Sequence, residues 1–142
     1  MRRGYTLIEL SLVLVLTGVT CLTLLSTARQ LRDRMAVVAA RESVAGLFAR
    51  ARVDALLGGG SAVHVRCVPS RAWLEGAAGA LSVVELEKEL SVTVTLGRGK
   101  SSADIRYDAL GIGRVASETM TFHRGRQHTK LIVSGYGRVR RQ

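Results

Sequence analysis

The chain has 142 residues, with 21 Lys+Arg against 11 Asp+Glu and a formal net charge of +10. That length excludes more than one small domain beside an apolar helix. The two cysteines, Cys21 in an apolar run and Cys67 in a predicted strand, predict no internal disulfide. The charge is uneven. Residues 1–57 carry 8 basic and 4 acidic groups (+4), residues 58–97 carry 3 and 4 (−1), and residues 98–142 carry 10 and 3 (+7). A basic segment of this kind points to nucleic acid, anionic lipid or an acidic protein surface, or to a solvated basic face.

The first element is the apolar run Leu10–Leu25, preceded by Gly4-Tyr5-Thr6-Leu7-Ile8-Glu9. A helix needs about 20 mostly apolar residues to cross a bilayer, and Tyr5–Ser26 is about that long. Glu9 is the single ionised group within it. A lone carboxylate in hydrocarbon costs a few kcal/mol, so such a residue normally has a partner and a task. The residues alone leave three readings open: a processed assembly helix, a secretory signal cut near Ser26-Thr27-Ala28, and a plain anchor. Arg2 and Arg3 before the run are balanced by Arg29, Arg32 and Arg34 after it, so charge counting leaves the topology undecided.

The helical pattern continues from Ala28 to Leu57 without a proline. Val37, Ala40, Val44, Leu47, Phe48, Ala51 and Ala55 recur at three- and four-residue spacing and mark one apolar face. Arg34, Arg41, Glu42, Arg52 and Asp54 fall on the others. A continuous helix over 5–57 is about 80 Å long at 1.5 Å per residue. Gly58-Gly59-Gly60 ends it. Short strands follow. Ala62–Val68 alternates, with Val63, Val65 and Cys67 inward. Val84–Leu96 alternates over Val84, Leu86, Leu90, Val92, Val94 and Leu96, leaving Glu85, Glu87 and Glu89 as a solvent row; Lys88 breaks the pattern and predicts a turn or bulge. Gly97–Lys100 is a turn. Ile105 with Tyr107, Met120 with Phe122, and Leu131 with Val133 mark three further strands. Trp73 is expected at the helix–sheet seam, and Gly76–Gly79 as a loop. The fold class is therefore α+β, a long N-terminal helix packed on a small antiparallel sheet domain.

Gly-aromatic-Thr-Leu-Ile-Glu behind a short basic leader resembles the N-terminus of type IV pilins and pseudopilins. Ala49–Ala55 with Val63-His64-Val65, Ile105–Gly111 with Thr119–Phe122, and Leu131–Arg140 resemble the GspH/FimT branch of that family. The resemblance implies four segments: a prepilin leader at 1–4, a transmembrane assembly helix at 5–27, its amphipathic continuation at 28–57 and a β-rich domain at 58–142. It implies cleavage by a prepilin peptidase between Gly4 and Tyr5, N-methylation of Tyr5, and pairing of Glu9 with the terminal amine of a neighbouring subunit. It also implies a bacterial inner-membrane location with the C-terminal domain in the periplasm. The implied partners are other pilins or pseudopilins and the inner-membrane assembly platform, in type II secretion or type IV pilus assembly. The family usually has Phe where this chain has Tyr5.

No catalytic constellation is legible, and no cofactor is expected. Gly111–Ala116 fits the letters of a dinucleotide-binding turn but lacks a βαβ setting. His64, His123 and His128 have no carboxylate or cysteine at ligand spacing, so no metal is expected. The remaining cluster is the basic set Arg124, Arg126, His128, Lys130, Arg138, Arg140 and Arg141. Arg138 and Arg140 share one side of an extended segment, about 7 Å apart. Tyr136 is placed to stack on a base or sugar. On the FimT side of the family a Gly-Arg-x-Arg tail is associated with DNA, and Gly137-Arg138-Val139-Arg140 matches it. The alternative is an edge strand guarded by charge.

Overall fold

The computed structural model describes residues 6–77, 79–114 and 117–142. The chain divides into two compact units, Met1–Arg32 and Asp33–Gln142. One helix, α1 (Leu7–Gly58), contributes to both.

In the first unit every described residue, Thr6 to Arg32, is exposed. The segment is long and apolar enough to cross a membrane. Its hydroxyls are satisfied by the helix itself. Thr17 Oγ1 donates to the Val13 carbonyl (2.7 Å), Thr20 to Leu16 (3.0 Å), Thr23 to Thr20 (2.8 Å) and Thr27 to Thr23 (3.0 Å). A hydroxyl bonded to its own backbone carries little penalty in an apolar medium, which is how Thr17, Thr20, Thr23 and Thr27 stay compatible with lipid.

The second unit is built on the continuation of α1. Val37, Ala40, Val44, Leu47, Phe48, Ala51 and Ala55 are buried as the periodicity predicts, and Ala45 joins them. Four alanines among these eight let backbone approach backbone: Ser61 Oγ reaches the Ala51 carbonyl at 2.6 Å. Helix α1 ends as expected. Gly59 adopts φ +83°, a left-handed value that glycine reaches without a Cβ clash, and its N–H bonds the Ala55 carbonyl at 3.0 Å.

The strands form two four-stranded antiparallel sheets rather than one. The first has the order β3-β2-β1-β5, from β1 (Gly60–Arg66), β2 (Arg71–Gly76), β3 (Gly79–Val84) and β5 (Ser102–Asp108). The second has the order β4-β6-β7-β8, from β4 (Thr93–Leu96), β6 (Glu118–Arg124), β7 (Gln127–Val133) and β8 (Val139–Arg141). Both bury alternate residues with the α1 stripe in one core, including Val63, Val65, Leu74, Val94, Ile105, Tyr107, Met120, Phe122, Leu131 and Val133.

Three local expectations are corrected. Val84–Leu96 is not one strand: the chain passes from β3 into a short helix, α2 (Leu86–Leu90), before β4. Leu86 and Leu90 are four apart, a spacing that suits a helix face as well as alternation, and Glu-Lys-Glu between them favours helix over strand. Lys88, where alternation breaks, lies inside that helix. The acidic row dissolves with the strand, and Glu87 Oε2 instead accepts the Ser70 N–H at 3.0 Å. Trp73 is not at the helix–sheet seam. Ala72 and Leu74 occupy the buried positions of β2, so Trp73 faces outward, stacked on His64 with ring centroids 5.0 Å apart. The ends of the Gly76–Gly79 loop belong to strands instead: Gly76 ends β2 and pairs with Gly79, which opens β3.

Candidate functional site

The N-terminal candidates come first. Gly4 and Tyr5 lie outside the described residues. Glu9 is described, and its carboxylate already has a partner in its own chain. Thr6 is the residue before α1, and Glu9 is the third residue of the helix. Thr6 N–H donates to Glu9 Oε2 at 3.0 Å, Thr6 Oγ1 donates to the same oxygen at 3.2 Å, and Glu9 N–H donates to Thr6 Oγ1 at 3.3 Å. These are the reciprocal bonds of a capping box, which satisfies backbone donors that a helix start leaves open. The Thr-x-x-Glu spacing was the available signal for Thr6. Glu9 Oε1 makes no hydrogen bond among the described residues and remains an acceptor.

The C-terminal basic set is split by the fold. Arg124 is half-buried: its Nε meets Asp33 Oδ1 at 2.9 Å and its guanidinium caps the Leu90 carbonyl. Arg141 lies on the Val139 side of β8 and donates to Glu42 Oε2 at 3.0 Å. Arg41 binds the same carboxylate at 2.8 Å and Thr129 Oγ1 at 3.1 Å, while Thr129 donates to the Gln142 carbonyl at 2.7 Å. Desolvation, the largest single influence, pushes the Glu42 carboxyl up. Hydrogen bonds from Arg41 and Arg141 outweigh it and hold the group below its ordinary 4.5. Arg126, Lys130, Arg138 and Arg140 are exposed, and none forms an ion pair among the described residues. Arg140 is the register partner of Ile132, and Gln142 exchanges backbone bonds with Lys130. Arg138, Arg140 and Lys130 therefore share the outer face of the second sheet. His123 and His128 are on that face too, as cross-strand partners with ring centroids 6.0 Å apart.

Tyr136 is 80% exposed, at the turn before β8. Gly137 follows with φ +75°, and a Cβ there would come within 2.5 Å of the Tyr107 ring. A Cβ on Gly113 would lie 2.7 Å from Gly137 Cα. The two glycines let the Tyr136–Gly137 turn settle on the Ile112–Gly113 backbone, where Gly113 N–H donates to the Tyr136 carbonyl at 3.3 Å. Beneath them Tyr107 Oη donates to the Gly137 carbonyl at 3.2 Å. Burial pushes the Tyr107 phenol up to about 12, against a smaller opposing effect of the Arg52 cation. The glycine of Gly-Arg-x-Arg is thus required by packing. The Gly111–Ala116 string is a turn and a single bridge at Gly113, with positions 115 and 116 outside the described residues.

A long N-terminal helix laid on antiparallel sheets, with its first turns exposed, defines a pilin-like α+β fold. Solved structures agree. The chain is similar to the type IV minor pilin FimU of Pseudomonas aeruginosa (TM-score 0.62, 13% identity, 78% of this chain and 90% of that one). It is also similar to the minor pseudopilin EpsH of the type 2 secretion system of Vibrio cholerae (TM-score 0.58, 11% identity, 75% and 95%). At these identities the likeness establishes the fold. No family model and no curated protein sequence matches the chain.

Proposed function

We propose that the chain is a minor subunit of a type IV filament machine, a structural protein rather than an enzyme. The observation that carries this reading is the pairing of a pilin-like fold with an apolar first unit, exposed throughout its described residues, whose one carboxylate keeps an oxygen with no partner among the described residues. In this reading a prepilin peptidase cuts between Gly4 and Tyr5 and methylates the new amine. The helix waits in the inner membrane with the second unit in the periplasm, and an assembly platform draws it into a filament of other pilins or pseudopilins. Glu9 Oε1 receives the amine of a neighbouring subunit, a cation that offsets the cost of an unpaired carboxylate in an apolar setting. N-terminal mass spectrometry tests the processing step: the mature chain begins at Tyr5 with a methylated amine, and a chain beginning at Arg29 rejects it.

Similarity to both a minor pilin and a minor pseudopilin favours neither machine. A second reading, binding of DNA during uptake, has its own support in Lys130, Arg138 and Arg140, exposed on one sheet face and without an ion-pair partner among the described residues. Deletion followed by parallel secretion and transformation assays separates the two. In the second reading, replacing Arg138 and Arg140 by Ala flattens the slope of log affinity against log salt by roughly 2, near one for each phosphate that is no longer neutralised.

A further inference from the structure

Where α1 enters the second unit, a cleft of about 330 Å³ opens between the helix and the start of β7. Arg34, Arg41, Gln127, His128 and Thr129 ring it, over an apolar wall at Val37. Among the described residues no carboxylate side chain lines it. The two nearest in sequence are already taken, Asp33 by Arg124 and Glu42 by Arg41 and Arg141. Arg34 is exposed and forms no ion pair among the described residues, and the same holds for Arg126, the neighbour of Gln127. Arg41 is engaged by Glu42 and Thr129, and the Thr129 hydroxyl by the Gln142 carbonyl, so the open donors of the cleft are the Arg34 guanidinium and the Gln127 amide, with no carboxylate among the described lining residues to neutralise Arg34. Its chemistry selects an anion, and the planar donor fork of arginine matches phosphate oxygens.

The sequence indicates the source of that phosphate. Arg34 follows Thr27, at the end of the apolar run, by seven residues, and Arg29 and Arg32 lie between. Basic residues just beyond a membrane span stand at the level of the lipid headgroups, within reach of their phosphates. We propose that this cleft binds the phosphate of an anionic phospholipid headgroup and so fixes the second unit at the bilayer surface. The inference rests on the membrane-anchored part of the reading above and not on either machine.

The test uses the full chain in mixed micelles holding equal amounts of phosphatidylglycerol and phosphatidylcholine, with retained lipid counted by native mass spectrometry. The parent keeps phosphatidylglycerol in preference. Arg34→Gln with Arg126→Gln lowers that preference by about fivefold per arginine, roughly 25-fold together. Arg98→Gln with Arg106→Gln, exposed and equal in charge change, leaves it unaltered. Equal retention of both lipids by the parent overturns the proposal, as does an equal loss in the Arg98/Arg106 variant, which would mark a response to net charge alone. Displacement by inorganic phosphate reassigns the cleft to a free anion, and displacement by duplex DNA reassigns it to nucleic acid; either overturns the lipid. Carbonate extraction of cell membranes, run beside it, keeps the two failures apart. A chain released by carbonate rejects the anchored reading and this inference together, whereas an inserted chain without lipid preference rejects this inference alone.

Discussion

The two stretches of α1 share a backbone conformation and differ in almost everything else. From Leu7 to Leu25 apolar side chains surround the axis, and each is exposed; from Val37 to Ala55 eight of them form one buried stripe, while Val38, Ala39, Ala49 and Val53 lie off it and are exposed. Hydroxyls in the first stretch bond back to their own helix, while Ser61, packed against the second, reaches across to the Ala51 carbonyl. The contrast shows that helical periodicity identifies the surroundings. An apolar girdle asks for lipid or other helices on every side, and a stripe asks for one partner, here the chain's own sheets.

Core truncation gives the largest contrast. Phe48→Ala removes a ring that is 1% exposed, and it should cost the second unit about 3–5 kcal/mol in urea unfolding. Leu14→Ala, 65% exposed, should leave that transition in place. Equal effects would break the distinction between the two stretches. A charge gives the next. Val13→Asp should cost about 2.5–3.5 kcal/mol in membrane insertion measured by glycosylation mapping, whereas Ala39→Asp, on the exposed side of the second stretch, should shift unfolding by under about 0.5 kcal/mol.

Removing the cap sharpens the comparison at its beginning. Thr6→Val deletes the hydroxyl that bonds Glu9 and should weaken the first turn by about 1 kcal/mol, seen as faster amide exchange at Leu7–Leu10. Thr6→Ser should restore protection. The smallest effect is acid loosening of β8 from α1. The Glu42 carboxyl is depressed when folded, so its attraction for Arg41 and Arg141 is complete above the unfolded value of 4.5. That attraction is lost as pH falls below 4.5 through the lower folded value. Amide exchange at Arg141 and Gln142 should rise in that window and stay level in Glu42→Gln.

The sequence carried α1, its terminating glycines and its buried stripe, because those depend on neighbours three and four residues apart. The alternating pairs Ile105/Tyr107, Met120/Phe122 and Leu131/Val133 were legible for the same reason. The division into two sheets was not. Strands β4 and β5 are separated only by the Gly97–Gly99 turn and the residues beside it, yet β4 pairs with β6 and β5 with β1. Such pairing is decided by partners far along the chain. Glu9 and the Gly137–Arg140 string stood out as motifs. Thr6 could be found from its spacing to Glu9, whereas the tie between Glu42 and Arg141 spans 99 positions and leaves no local mark.

The outward position of Trp73 decides what an optical experiment on this protein reports. It is the only tryptophan, and it lies against His64 with the Arg71 guanidinium 4.9 Å from its ring, away from Phe48 and Phe122. Intrinsic emission therefore reads the surface ladder across β1 and β2. A ligand or neighbouring subunit that touches that ladder changes the signal while the interior is intact, and an interior that loosens first around Phe48 stays dark until the ladder itself comes apart.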